Sequence, residues 1–133
     1  MRSWIAAVAV ALFTLTFAAS AQAASFDNIV VASTEGASAS ETTFAADTAK
    51  IFLSADLSDA QSGSKVTVSW ISVDSNGVAP ANYKIDEVNL DITNQNQITS
   101  SLSKPTNGWP IGTYRVDLAV DGTVLGSVDF SVQ

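Results

Sequence analysis

The sequence of 133 residues contains no cysteine and no histidine. These absences remove Ser-His-Asp triads, Cys-His pairs and ordinary zinc or copper sites, since each needs an imidazole or a thiolate as base, nucleophile or ligand. They also remove disulfides, so the core must hold the fold. A domain of this size buries about two-thirds of the surface its unfolded chain exposes, which is enough without cross-links. Positive charge is scarce as well, with 6 Lys and Arg against 13 Asp and Glu and a net charge of −7. The basic residues are scattered, whereas tracking a phosphate backbone needs them clustered. The reading therefore expects no nucleic-acid partner, and the same repulsion disfavours an anionic membrane surface. No glycine-serine linker, internal repeat or long charge run divides the chain.

What is present begins with a targeting pattern. Met1-Arg2 supplies one positive charge, Ile5 to Phe17 is an uncharged apolar run, and Ala21-Gln22-Ala23 is a small-x-small site. Together they read as a secretory signal peptide over residues 1–23. The run is shorter than the ~20 apolar residues of a membrane span and no basic stop-transfer group follows it. Cleavage after Ala23 is expected to leave residues 24–133 as one soluble domain in the periplasm or outside the cell. The acidic excess then serves solubility.

Beyond Ala23 the dominant period is two, which is the signature of strands with one buried face. Phe26 to Ser33 is β-branched and closed by Thr34-Glu35-Gly36. Ala37 to Asp47 is small and polar around Phe44, and reads as a loop or ragged edge strand with Phe44 pinned into the core. Lys50 to Leu57 alternates Ile51, Leu53, Ala55 and Leu57 against polar residues. Lys65 to Val73 places Val66, Val68 and Trp70 on one face, then Ile71 and Val73 on the other. That strand is buried on both sides, or a bulge after Trp70 switches its parity. Lys84 to Thr93, Gln97 to Ser103, Thr113 to Val120 and Val124 to Val132 complete seven strands, with Asp74-Ser75-Asn76-Gly77 and the Pro80 loop between the third and fourth.

The last two strands form a hairpin around Asp121-Gly122. Directly opposed residues of an antiparallel pair share a face. A two-residue loop would oppose Val116 to Ser127 and mix the faces. Parity favours a three-residue loop, Val120-Asp121-Gly122, that sets Leu118 opposite Val124 and Tyr114 opposite Val128. The alternative is a two-residue turn corrected by a bulge at Gly126.

Gly112-Thr113-Tyr114-Arg115-Val116 has the spacing of the tyrosine corner, with Val116 where a core Cys often stands, and Trp70 lies in the third full strand. On these residues the chain resembles an immunoglobulin-like or fibronectin-like module across residues 24–133. The resemblance implies an all-β, single, seven-stranded antiparallel immunoglobulin-like sandwich with no disulfide. The closing pattern GWPxGxYxVxLxxDG, ending in FxV, is also similar to small exported bacterial proteins, and implies no activity.

Catalysis has little to work with. Ser64-Lys65 and Ser103-Lys104 sit at turns, and neighbouring strand residues such as Asp86-Glu87 diverge to opposite faces. Asp74-Ser75-Asn76-Gly77 starts like a calcium loop, but its Gly comes at the fourth position instead of the sixth, which excludes an EF-hand. A looser site on Asp74 and carbonyl oxygens is the minor alternative, and no metal site or cofactor is expected. The expected role is therefore a binding or structural module that contacts a protein or glycan through end loops. Trp109, Asn76 and Tyr83 are the candidate contacts, with Trp109 weighed against a role as a cap over the core beside Tyr114. An inhibitor of exported proteases is the alternative and a hydrolase comes last. Strands Phe26 to Ser33 and Lys84 to Thr93 are expected to be sheet edges open to strand addition.

Overall fold

In the computed structural model, residues 23–133 are described. The expected signal peptide, apart from its last residue, lies outside them. The described residues form eight strands: β1 (Ser25–Ala32), β2 (Thr43–Phe44), β3 (Lys50–Ser58), β4 (Lys65–Asp74), β5 (Tyr83–Asp91), β6 (Gln97–Ser103), β7 (Gly112–Val120) and β8 (Thr123–Val132). They form a three-stranded sheet, β1-β3-β6, facing a five-stranded one, β2-β8-β7-β4-β5. β1 and β5 are edge strands, as expected, and so is β6.

The expectation of seven purely antiparallel strands is corrected by β2, which runs parallel to β8 through Thr43↔Ser131 and Phe44↔Val132. Phe44 is the cause. Its buried ring meets Phe130 edge-on at 5.3 Å, which draws its backbone alongside β8. There Ser131 N donates to Thr42 O and Gln133 N to Phe44 O.

The inner faces supply the core. Ile51 and Leu53 of β3, Val66, Val68 and Trp70 of β4, and Val116 and Leu118 of β7 are all fully buried. Each such aliphatic side chain contributes about 1.5–3 kcal/mol on leaving water. Phe130 lies at the centre of an aromatic group, stacked on Tyr114 at 5.1 Å and edge-on to Trp70 at 6.5 Å.

β4 keeps its parity past Trp70, because Ile71 is buried on the outer face and Ser72 returns inward. The irregularity beside Trp70 belongs to the neighbouring strand. Trp70 opposes Asp86 and Ile71 opposes Lys84, so Ile85 of β5 is the extra residue. A second bulge, at Val73, loosens β4 from β7 at the strand's end.

The favoured three-residue turn is corrected to its alternative, a two-residue turn with a bulge beside Gly126. Val120 pairs with Thr123 across a two-residue turn, in which Asp121 and Gly122 both have positive φ, 49° and 88°. Tyr114 opposes Phe130, not Val128, and Leu118 opposes Gly126. The extra residue that parity demands is Leu125, inside β8, and Val124 points to solvent. Two contacts fix this outcome. Lys65 N donates to Asp121 Oδ1 while Asp121 N donates to Lys65 O, tying the tight turn to β4. Gly126 sits beneath β1, where a Cβ would come within 2.9 Å of the Ile29 side chain.

Candidate functional site

At one end of the sandwich three connections meet: residues 45–49 before β3, 75–82 between β4 and β5, and 104–111 between β6 and β7. Trp109 joins the first to the third. Its backbone N donates to Ala46 O at 2.9 Å and its Nε1 to Thr48 O at 2.7 Å. Gly108, at φ 81°, lets that approach happen, since a Cβ there would stand 3.1 Å from Ala46 O. The indole packs edge-on against Tyr114, at 6.0 Å and 86°. Tyr114 in turn donates its hydroxyl to Pro110 O, completing the corner that its spacing suggested. Burial raises the Tyr114 pKa above the ordinary 10.0, because the phenolate would lose its hydration.

The second connection is tied to the third by Asn76. At φ 54° it donates Nδ2 to Ile111 O at 2.9 Å, and its backbone N donates to Asp74 Oδ1 at 2.9 Å. Ser75 folds the rest of the loop inward, accepting from Ala79 N at 2.7 Å and donating to Ala79 O at 3.1 Å. Gly112 closes against the end of β4 so tightly that a Cβ would fall 1.9 Å from Asp74 O. The Asp74 carboxylate is thereby part of a turn. Among the described residues, no three acidic side chains gather where they could hold a metal ion.

Between the second and third connections lies a hollow of about 300 Å³. Val78, Tyr83, Ile85, Pro105 and Trp109 line it, with Ser72 beside them. Its rim carries apolar surface that folding has left wet, since Val78 is 72% exposed and Tyr83 52%. Ile111, 54% exposed, stands at the same end. The Ser72 hydroxyl is buried without a hydrogen-bond partner, an unspent polar group in an apolar setting. Such a combination, mostly apolar with a few polar groups, is typical of ligand sites. A second hollow, about 280 Å³, lies on the outer face of the three-stranded sheet among Ala32, Phe52, Ser54, Thr99 and Ser101, next to Glu35.

The three residues singled out from sequence all come to this end, in different roles. Trp109 is only 2% exposed and its indole N–H is already bonded, so it is a cap and not a free contact. Asn76 is exposed but its amide is spent on Ile111 O. Tyr83 alone stands open to solvent beside the hollow. Val78, Ile111 and Ser72 were not singled out. The available signal for the first two was an aliphatic residue standing beside glycine in a turn-rich loop.

No protein-family model matches the sequence, and no curated protein does. Solved structures share the fold. An immunoglobulin-like protein from Pseudomonas aeruginosa aligns with a TM-score of 0.55 at 17% identity, over 86% of this chain and 99% of that one. An alkylpurine DNA glycosylase from Pseudomonas fluorescens, bound to DNA containing an abasic site analogue, aligns with a TM-score of 0.53 at 20% identity. That match covers 83% of this chain and 30% of the glycosylase. The fold is thus immunoglobulin-like, and likeness at such identity speaks for fold alone.

Proposed function

We propose that this chain is an exported, non-catalytic binding module that receives a protein or glycan partner at the end formed by residues 75–82 and 104–111. The observation that carries the reading is the wet apolar rim of Val78 and Tyr83 beside the hollow. Leaving large apolar side chains in water forgoes burial energy, and such patches commonly mark contact sites. Export follows from the targeting pattern at the start of the chain. The lack of imidazole and thiol speaks for binding over hydrolysis. A protease inhibitor presents a projecting loop to a cleft, whereas the apolar rim here borders a hollow between two loops, which favours a surface that receives.

The test is a screen of immobilised peptides and glycans with residues 24–133, repeated with Val78→Ser/Tyr83→Ser and with Val124→Ser/Leu125→Ser at the opposite end. Retention lost in the first variant and kept in the second is expected. No retained probe, or equal retention by all three proteins, contradicts the reading.

A further inference from the structure

The two sheets do not match in width, and the mismatch leaves a step. β1 lies against β8. Strands in both sheets are spaced about 4.8 Å apart. Counting across from β1 and β8 sets β3 against β7 and β6 against β4, so β5 projects beyond the three-stranded sheet. Burial agrees. Val66 and Val68 of β4 are fully buried, but their direct partners on the same face of β5, Leu90 and Val88, are only half-buried. The apolar face of β5 is a ledge without a cover.

The wall of that step is the free edge of β6. Lys104 N donates to Ala49 O, and Leu57 N donates to Asn96 O, at the two ends of the β3–β6 ladder. Bonded residues alternate along an antiparallel strand, so Ile98, Ser100 and Leu102 spend their backbone groups on β3. Gln97, Thr99, Ser101 and Ser103 turn theirs to the open side, and all are exposed. Exposed edges are normally blunted by bulges or charge. β1 is bulged at Asn28-Ile29, β5 at Ile85 beside Asp86 and Glu87, and β8 at Leu125. β6 pairs through all seven residues with no shift and carries no charge. No acidic residue falls between Asp91 and Asp117 in this acidic chain.

We infer that the step binds an extended peptide of another protein, which adds as a strand to β6 and lays alternate apolar side chains on Val88 and Leu90. The open backbone groups of β6 demand an extended main chain, which a glycan does not offer. The ledge demands apolar side chains at every second position. Asp86, on the same face of β5 as Val88 and Leu90 and nearer the hollow, favours a basic residue at that end of the peptide. A second copy of this chain does not fit. Two-fold pairing of β6 with itself would put each copy's β4 where the other's β5 already projects. Tyr83 and Ile85 of the hollow begin β5, and Pro105 follows β6, so the peptide's end would enter the hollow. The inference therefore names the partner class of the loop-end reading and rests on it for that end.

The experiment is amide hydrogen exchange followed by NMR on residues 24–133. The probe is a peptide of about nine residues, alternating Val and Thr with Lys at both ends, and the control is the same peptide with Pro at alternate positions. With the probe, exchange at Gln97, Thr99, Ser101 and Ser103 is expected to slow at least about tenfold, while Ile98, Ser100 and Leu102, already bonded to β3, stay unchanged. Ser101→Pro, whose lost N–H faces the open side, is expected to keep its melting temperature and weaken the probe about tenfold or more. No slowing at these amides with about 1 mM probe overturns the inference. If the probe binds with weakening only in Val78→Ser/Tyr83→Ser, the loop-end reading stands and strand addition fails. Weakening only in Ser101→Pro gives the reverse.

Discussion

The two ends of the sandwich are closed by different means. At the end holding Asp121-Gly122, main chain meets main chain: Gly63 N donates to Ile92 O, Ile92 N to Ser64 O, Leu57 N to Asn96 O, and Asp121 N to Lys65 O. At the other end main-chain bonds, Trp109 N to Ala46 O and Lys104 N to Ala49 O, are joined by an aromatic plug, with Trp109 over Tyr114 and its Nε1 bonded to Thr48 O. A rigid indole fills only part of the space between two loops, and the hollow is what remains beside it. Exposed apolar residues occur at both ends, but Val124 and Leu125 line neither of the hollows described. Val78 and Tyr83 stand on the rim of one.

The comparison can be broken first at the plug. Trp109→Ala should destabilise the domain by about 3–5 kcal/mol in urea denaturation, the usual cost of emptying a buried aromatic site. A loss below about 1 kcal/mol would mean that the indole is not the closure described here. Paired glycine variants sharpen the contrast. Gly112→Ala drives a methyl into Asp74 O and should cost about 3 kcal/mol or more. Gly122→Ala, at positive φ but with nothing within 4 Å, should cost about 1 kcal/mol. Equal losses would remove the distinction between a steric end and a merely conformational one.

A smaller effect is expected at Tyr114. Replacement by Phe removes the bond to Pro110 O and should cost about 1 kcal/mol at neutral pH. The pKa of the folded-state phenol is raised by burial, so its contribution is complete below pH 10.0 and is lost as pH rises through the folded value. Stability of the wild type should fall above pH 10.0 more steeply than that of Tyr114→Phe. Parallel alkaline limbs in the two denaturation profiles would contradict that assignment.

The strands were legible because period-two alternation survives in Lys50 to Leu57, where one face is wholly buried, and in Thr113 to Val120, where Tyr114, Val116 and Leu118 are buried. The tyrosine corner was legible because its residues are close in sequence. The hairpin register was not. Parity demanded one extra residue, in the turn or in β8, but its place was chosen by Ile29 over Gly126 and by Asp121 on Lys65, contacts far apart along the chain. β2 was legible only as a ragged edge with Phe44 pinned into the core; its parallel pairing with β8 was not, since two residues have no period and the Phe130 that holds the ring is far along the chain. The candidate site was half legible. Trp109, Asn76 and Tyr83 were gathered at one end, yet their roles depend on Thr48 O and Ile111 O, acceptors no local pattern reveals. The step between β5 and β6 depends on how many strands each sheet holds, a property of topology alone.

The most direct test of the loop end as the binding surface is Val78→Ser/Tyr83→Ser, assayed for both stability and partner retention. Both side chains are largely exposed, so urea denaturation should match the wild type within about 0.5 kcal/mol while retention of the partner is lost. Retention equal to the wild type, in a protein of unchanged stability, would contradict the account.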